Sequence, residues 1–250
     1  MKKNTINSNI QALRAIAILL VIIQHLHRLP VPSWLTETYS KFSYWTGVDI
    51  FLAISGYLMC RSLTSEFKSV PNHYLAFTSF FKKRFFRLAP ALIFWLLAGL
   101  VLSLIMQPSF GISVYKSLET LIYSILAISN FFYFSETVHN ISYDPLLSVT
   151  WSLSLEWQLY LILAVFFAFM SRRNIKTALM IMIIISSIFL PNGENHQYTI
   201  GWWIRPQAFL FGALAFLFED RIKAIRTGRF LTLCIFVLSL FCLVTFASKV

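Results

Sequence analysis

The sequence is short of charge, and the charge it has is lopsided. Only 12% of its residues are Asp, Glu, Lys or Arg, with 10 acids against 21 bases. A soluble globular domain is nearer a quarter charged. The shortage, with 58% hydrophobic residues and a mean hydropathy of +0.70, excludes an ordinary water-soluble domain and indicates a chain that crosses a membrane repeatedly. Cys60, Cys234 and Cys242 have neither metal nor redox spacing and lie within or at the ends of apolar runs, so they read as inert. No internal repeat and no low-complexity tract is present. With 250 residues, seven or eight apolar segments leave no room for a separate soluble domain. The net charge of +11 does not mark a nucleic-acid binder, because the bases sit in short clusters between apolar runs, where orientation signals belong.

What is present is an all-α polytopic pattern. Apolar segments fall near 10–27, 44–60, 88–106, 117–134, 151–170, 177–190, 201–218 and 230–247. The first follows Lys2 and Lys3 but lacks a small-residue cleavage site and carries Arg14, so it reads as a retained helix. The longest polar loop, 61–87, holds Arg61, Lys68, Lys82, Lys83, Arg84 and Arg87 against Glu66 alone, which places it and the N-terminus in the cytoplasm. If every later segment crossed, Arg172, Arg173, Lys176, Arg221, Lys223, Arg226 and Arg229 would all lie outside. One non-crossing segment repairs this. The best candidate is 117–134, with Glu119, Ser124, Ser129 and Asn130, flanked by Pro108 and Gly111. The expectation is therefore about seven transmembrane helices plus one re-entrant segment packed inside the bundle, since non-helical backbone at membrane depth must be buried or line a cavity. Asn140-Ile141-Ser142 matches a glycosylation acceptor, a weak three-residue pattern.

Arg14 and His25 are eleven residues apart in the first helix, a rise of roughly 16 Å and about three whole turns, so both point one way at different depths. Ionisable groups inside a membrane face a bundle interior or cavity; the plainer alternative is a snorkelling arginine and an interfacial histidine. Asp49 falls at a depth comparable with His25 and could orient its ring. Ser55 and Gly56 allow close approach of a helix or ligand, with ordinary helix packing the plainer explanation. Arg84 and Arg87 share a helical face and suit a phosphate-bearing ligand, or else anchor the topology on anionic lipid. Glu156 lies in an apolar run with Tyr160 one turn on, and a buried carboxylate needs a partner or a raised pKa. Arg205 could pair with Glu156 or Asp49.

At these residues the chain resembles the membrane acyltransferase family 3, integral-membrane O-acyltransferases acting on bacterial surface glycans. The matches are Leu13-Arg14-Ala15 through His25; Gly47-Val48-Asp49-Ile50-Phe51 with Ser55-Gly56-Tyr57; Arg84-Phe85-Phe86-Arg87 with Pro90; and Trp151-Ser152-Leu153 with Glu156, Gln158 and Tyr160. Arg205, Phe209 and Gly212 resemble a later helix weakly, with Ala208 where an acid is common. Family members continue for two or three helices beyond 230–247, so a fragment or a short member is expected.

The resemblance implies a multi-pass protein of the bacterial inner membrane moving an acyl group, most often acetyl, from cytoplasmic acetyl-CoA to a hydroxyl of a glycan or lipid-linked saccharide at the outer face, without a metal. It gives His25 the catalytic role, as general base or acyl-carrying nucleophile, supported by Glu156 or Asp49. Arg14, Arg84 and Arg87 become donor contacts, and Ser55, Trp151 and Tyr160 substrate contacts. Two rivals stand beside this reading: a proton-coupled transporter or flippase, which no inverted repeat supports, and a non-catalytic membrane partner.

Overall fold

The computed structural model describes residues 8–26, 30–110, 113–142, 144, 146–188, 196–225 and 228–246. Lys2, Lys3, Gly111, Arg226 and the start of the 191–200 loop lie outside the described residues. Among the described residues there is helix and no strand. In chain order these are α1 (Ser8–Leu26), α2 (Ser33–Tyr39), α3 (Thr46–Ser69), α4 (His73–Phe110), α5 (Val114–Ile125), α6 (Ser129–Val138), α7 (Thr150–Phe169), α8 (Arg172–Ile188), α9 (Ile200–Trp203), α10 (Gln207–Leu217), α11 (Glu219–Ala224) and α12 (Arg229–Phe246), with a 3-10 turn at His196–Tyr198. Among the described residues three stretches are long and apolar enough to cross a membrane: Ser8–Leu26, His73–Gln107 and Thr150–Phe169. Gln207–Leu217 and Cys234–Val244 are shorter apolar helices. The chain forms two compact units, residues 1–58 with 207–250, and residues 59–191 with 195–206.

In the first unit, α3 is held by two close backbone approaches. A Cβ on Gly47 would lie 2.7 Å from the carbonyl oxygen of Ala17 in α1. Gly56 and Gly212 approach in a reciprocal way. A Cβ on either would come within 1.9 Å of a carbonyl oxygen on the other helix, that of Phe209 or Ala53. Pairing 56 with 209 and 53 with 212 makes α3 and α10 antiparallel. Small residues at such a crossing allow the backbones to touch and gain dispersion contact. The Tyr39 hydroxyl of α2 donates to the Ile23 carbonyl at 2.6 Å, strapping α2 over the end of α1. The Ser43 amide donates to the Val244 carbonyl at 2.9 Å, satisfying an end group of α12.

In the second unit the expected 61–87 loop is not a loop. α3 runs to Ser69 and α4 starts at His73, because the Asn72 carboxamide accepts from the Tyr74 and Leu75 amides as an N-cap. Clustered charge had suggested irregular chain, yet helical spacing lets the aromatic side chains pack while the cations stay in water. Glu66 braces the turn, taking hydrogen bonds from Lys83 at 2.8 Å and from Ser79; these hold its carboxyl below the usual carboxylate range. Phe67 meets both His73 and Phe167, and His73 Nδ1 donates to the Ala168 carbonyl at 2.9 Å. At the other end, Gly99 of α4 packs against Leu147, just before α7. Thus α4 and α7 are antiparallel, and the α3–α4 and α7–α8 turns share one end of the unit. Lys68, Arg172 and Arg173 at these turns form a basic end, and Lys83 of α4 reaches back to Glu66 near it.

The segment between α4 and α7 therefore starts and finishes at the opposite end. Residues 117–134 are not one helix but parts of α5 and α6, broken at Leu126–Ile128. Lys116 pairs with Glu136, Tyr133 donates to Thr120, and Tyr123 stacks on Phe132 at 4.3 Å, contacts that only an antiparallel hairpin can make. Ala127 at φ 56° closes it, with the Ile128 amide donating to the Tyr123 carbonyl. The polar residues of the hairpin, Ser117, Thr120, Ser124, Ser129 and Asn130, are 0–4% exposed. These side chains face the rest of the unit, whereas Leu118, Ile122, Ile125 and Leu126 on the hairpin's other face are exposed. The expected 201–218 helix also breaks, at Ile204–Pro206, because proline has no amide hydrogen and disfavours helix in the residue before it.

Candidate functional site

Residues named from the sequence fall in both units, and each unit has its own geometry. In the first, Arg14 and His25 lie on one uninterrupted helix, α1, and both are half-buried. The shared-face expectation therefore holds in the backbone. The edge of the His25 ring meets Trp45 at 5.9 Å between centroids. Because Gly47 packs on Ala17 and Trp45 on His25, α1 and α3 run antiparallel, and Asp49 follows Trp45 by four residues, about one turn, on the facing helix. The half-buried Ser55 precedes the Gly56 crossing. Gly56 thus serves helix packing, the plainer of its two explanations. Between α1, α3 and α10 lies a cavity of about 390 Å³ lined by Ile10, Leu13, Ala53, Tyr57 and Gly212, beside Arg14 in the chain. Its lining suits a hydrocarbon or thioester arm better than a sugar.

In the second unit α7 carries Trp151, Glu156 and Tyr160. The Tyr160 hydroxyl donates to the Glu156 carboxylate one turn away, which supplies the partner a half-buried acid requires. Trp151 is buried edge-on against Trp203 at 5.6 Å. The Arg205 guanidinium lies 5.3 Å from the Trp151 ring and 3.8 Å from the Trp202 ring. Cation–π attraction to two indoles accommodates a buried arginine in the α9–α10 break.

Arg84 and Arg87 are neighbours on one face of α4, as their spacing requires. Arg84 is half-buried, 6.0 Å from the Phe80 ring centroid, and Arg87 is exposed. Among the described residues no three His, Cys, Asp or Glu side chains gather as a metal site would need.

Three features were not foreseen. Gln158 and Asn130 form a reciprocal amide pair, at 2.8 and 3.2 Å, and each reaches further: Gln158 donates to the Ala127 carbonyl at 2.8 Å and Asn130 to the Trp203 carbonyl at 3.2 Å. The hairpin tip, α7 and the turn bearing Arg205 are thereby clasped together. Serine pairs continue the seam, Ser124 to Thr150 at 2.8 Å and Ser129 to Ser154 at 2.7 Å. Asp144, 1% exposed, caps the approach to α7 by accepting from the Leu146 and Leu147 amides. An Asp-Pro pair before an apolar run was the available signal for it, since Asp favours turns and caps.

Residues 7–249 match a family described as an acyltransferase domain, of the type called acyltransferase 3. The O-acetyltransferase OatA of Staphylococcus aureus strain NCTC 8325 / PS 47 is 32% identical over 221 residues, covering 83% of this chain and 34% of that protein. A protein of S. aureus strain MSSA476 provisionally named O-acetyltransferase SAS0844 is 30% identical over 235 residues, covering 86% and 35%. The chain thus spans about a third of the length of these curated relatives. No solved structure matches.

Proposed function

The chain belongs to the acyltransferase 3 family, an O-acyltransferase family by the names of its relatives, and from that premise we propose that it moves an acetyl group from cytoplasmic acetyl-CoA to a hydroxyl of a glycan or lipid-linked saccharide at the outer face of a bacterial inner membrane. The observation that carries this reading is α1, one unbroken helix with a half-buried cation near one end and a half-buried imidazole near the other. A donor with phosphates at one end and a thioester at the other needs both kinds of group, separated along an apolar path.

His25 is the proposed catalytic residue. As a general base, the imidazole takes the proton of the acceptor hydroxyl as its oxygen attacks the thioester carbonyl. The C–O bond forms, the C–S bond breaks, and the departing thiolate takes the proton back from the imidazolium. As a nucleophile, the imidazole would first take the acetyl group, the C–N bond forming as the C–S bond breaks and the thiolate leaving with the ring proton, and then pass it to the acceptor oxygen, whose proton returns to the ring. Asp49 orients or balances the charge of the ring from the facing helix. Arg14, Arg84 and Arg87 take the donor phosphates, and the cavity beside Arg14 holds the acyl arm. Glu156, hydrogen-bonded by Tyr160, is the alternative proposed support for the ring, and Ser55, Trp151 and Tyr160 are the proposed substrate contacts. About seven crossings, a cytoplasmic N-terminus and a re-entrant α5–α6 hairpin make up the proposed topology, supported by the shared basic end of the second unit. The test is transfer of label from acetyl-CoA to membrane glycan by vesicles carrying the chain. A carrier, which would also use a broken hairpin, moves substrate without transferring label.

A further inference from the structure

A cavity of about 250 Å³ lies between α4, the hairpin tip and α7, lined by Phe85, Ala89 and Ile93 of α4, Ile125 and Ala127 of the tip, and Trp157. Contacts on either side fix its level. Gly99 packs on Leu147, Phe81 stacks on Trp157 and Ser124 bonds Thr150, so Ala89 and Ile93 fall level with the first half of α7. From Thr150 to Trp157 is a rise of about 10 Å, on the side of the tip away from the basic end. One leaflet of hydrocarbon is about 15 Å deep, so the cavity fits within a single leaflet, the outer one in the proposed topology. The lining is apolar, and the polar atoms at its edge are spent, Ser124 on Thr150 and the Ala127 carbonyl on Gln158. Phe85, Ile93 and Ile125 are 53, 45 and 58% exposed, so the cavity opens sideways, in a bilayer onto hydrocarbon.

A hydrocarbon chain gains little by leaving lipid for an apolar groove, so the groove alone selects no lipid. Selection must come from what the chain carries. Trp157, in the cavity lining, meets the Tyr160 ring at 6.1 Å and follows Glu156 in the chain. The Tyr160 hydroxyl donates to the Glu156 carboxylate, so a phenol–carboxylate pair stands beside the residue that lines the cavity. Such a pair can exchange hydrogen bonds with a sugar hydroxyl. A glycan dissolved in water has no use for an opening onto hydrocarbon, whereas a saccharide joined to a lipid presents both a hydroxyl and a chain. We propose that the acceptor is a lipid-linked saccharide whose hydrocarbon chain lies in this cavity against Trp157, with the sugar held at Glu156 and Tyr160. The assignment rests on the acyl-transfer reading and narrows its acceptor to the lipid-linked class.

Photolabelling reads the site without relying on transfer. The full chain is reconstituted in phosphatidylcholine vesicles with a trace of polyprenyl-diphosphate N-acetylglucosamine, a single-chain lipid-linked saccharide, carrying a diazirine on the isoprene units nearest the phosphate. After irradiation the label should fall on the peptides bearing Ile93, Ile125 and Trp157. A diazirine phosphatidylcholine at the same fraction should label them about fivefold less, the difference that a hydrogen bond or so to the sugar supports. Ala89→Phe fills the cavity and Ile93→Trp narrows its mouth at an exposed position; each should cut labelling by the lipid-linked sugar to the phosphatidylcholine level. Equal labelling by the two lipids, or labelling untouched by both variants, would overturn the chain placement. Acetyl transfer from labelled acetyl-CoA to the lipid-linked sugar and to free N-acetylglucosamine is then compared in the same vesicles. Transfer to the lipid-linked form alone, lost in Ile93→Trp, is the expected result, and equal transfer to both forms would overturn the acceptor class. Labelling at the site with transfer to neither form would contradict the acyl-transfer reading and leave the lipid site standing.

Discussion

At the scale of single residues, buried amides and hydroxyls are what hold the hairpin in place. Gln158 serves three groups, and replacing it by Leu strands the Ala127 carbonyl and part of the Asn130 amide away from water. Each stranded group costs about 1–3 kcal/mol. The Gln158→Leu chain should unfold at a clearly lower temperature in detergent, while Ser152→Ala, which removes a hydrogen bond to the Val149 carbonyl at an exposed site, should not. The individual polar residues of this seam were legible in the sequence as anomalies in apolar runs. Their pairing was not, because Asn130 and Gln158 are 28 residues apart and nothing local couples them. Arg205 shows the same limit. The tryptophan rings on which its guanidinium lies are three or more residues away in sequence, and composition does not single them out.

At the scale of elements, the strongest constraint is the reciprocal glycine crossing of α3 and α10. A methyl group on Gly56 or Gly212 would sit 1.9 Å from a backbone oxygen, and backbone cannot move aside as the end of a flexible side chain can. Gly56→Ala and Gly212→Ala should each destabilise by about 1–3 kcal/mol or more. Gly228→Ala, with nothing within 4 Å, should be neutral in the same thermal-unfolding assay. The long apolar helices were readable almost to the residue: the runs at 10–27 and 151–170 become Ser8–Leu26 and Thr150–Phe169. Their ends coincide with abrupt changes in polarity, a local signal. The 61–87 stretch was misjudged because its charge density masked helical spacing. The 201–218 run is apolar throughout, but Pro206 lacks an amide hydrogen and splits it into α9 and α10.

At the scale of the whole molecule, charge parity along the chain demanded one segment that does not cross, and the second unit contains an antiparallel hairpin at that place. The topology predicts opposite accessibility for two exposed positions of that unit. In a chain without native cysteines, Ser135→Cys should react with a membrane-impermeant maleimide from outside intact cells, and Asn174→Cys only after permeabilisation. Labelling of Asn174→Cys in intact cells would contradict a re-entrant hairpin. The chemistry assigned to the membrane-embedded chain turns on one side chain, and acetyl transfer from labelled acetyl-CoA by His25→Ala membranes tests it most directly. Loss of general acid–base assistance alone predicts a fall of at least about 100-fold at unchanged insertion level; transfer at the parent rate would contradict the assignment of His25.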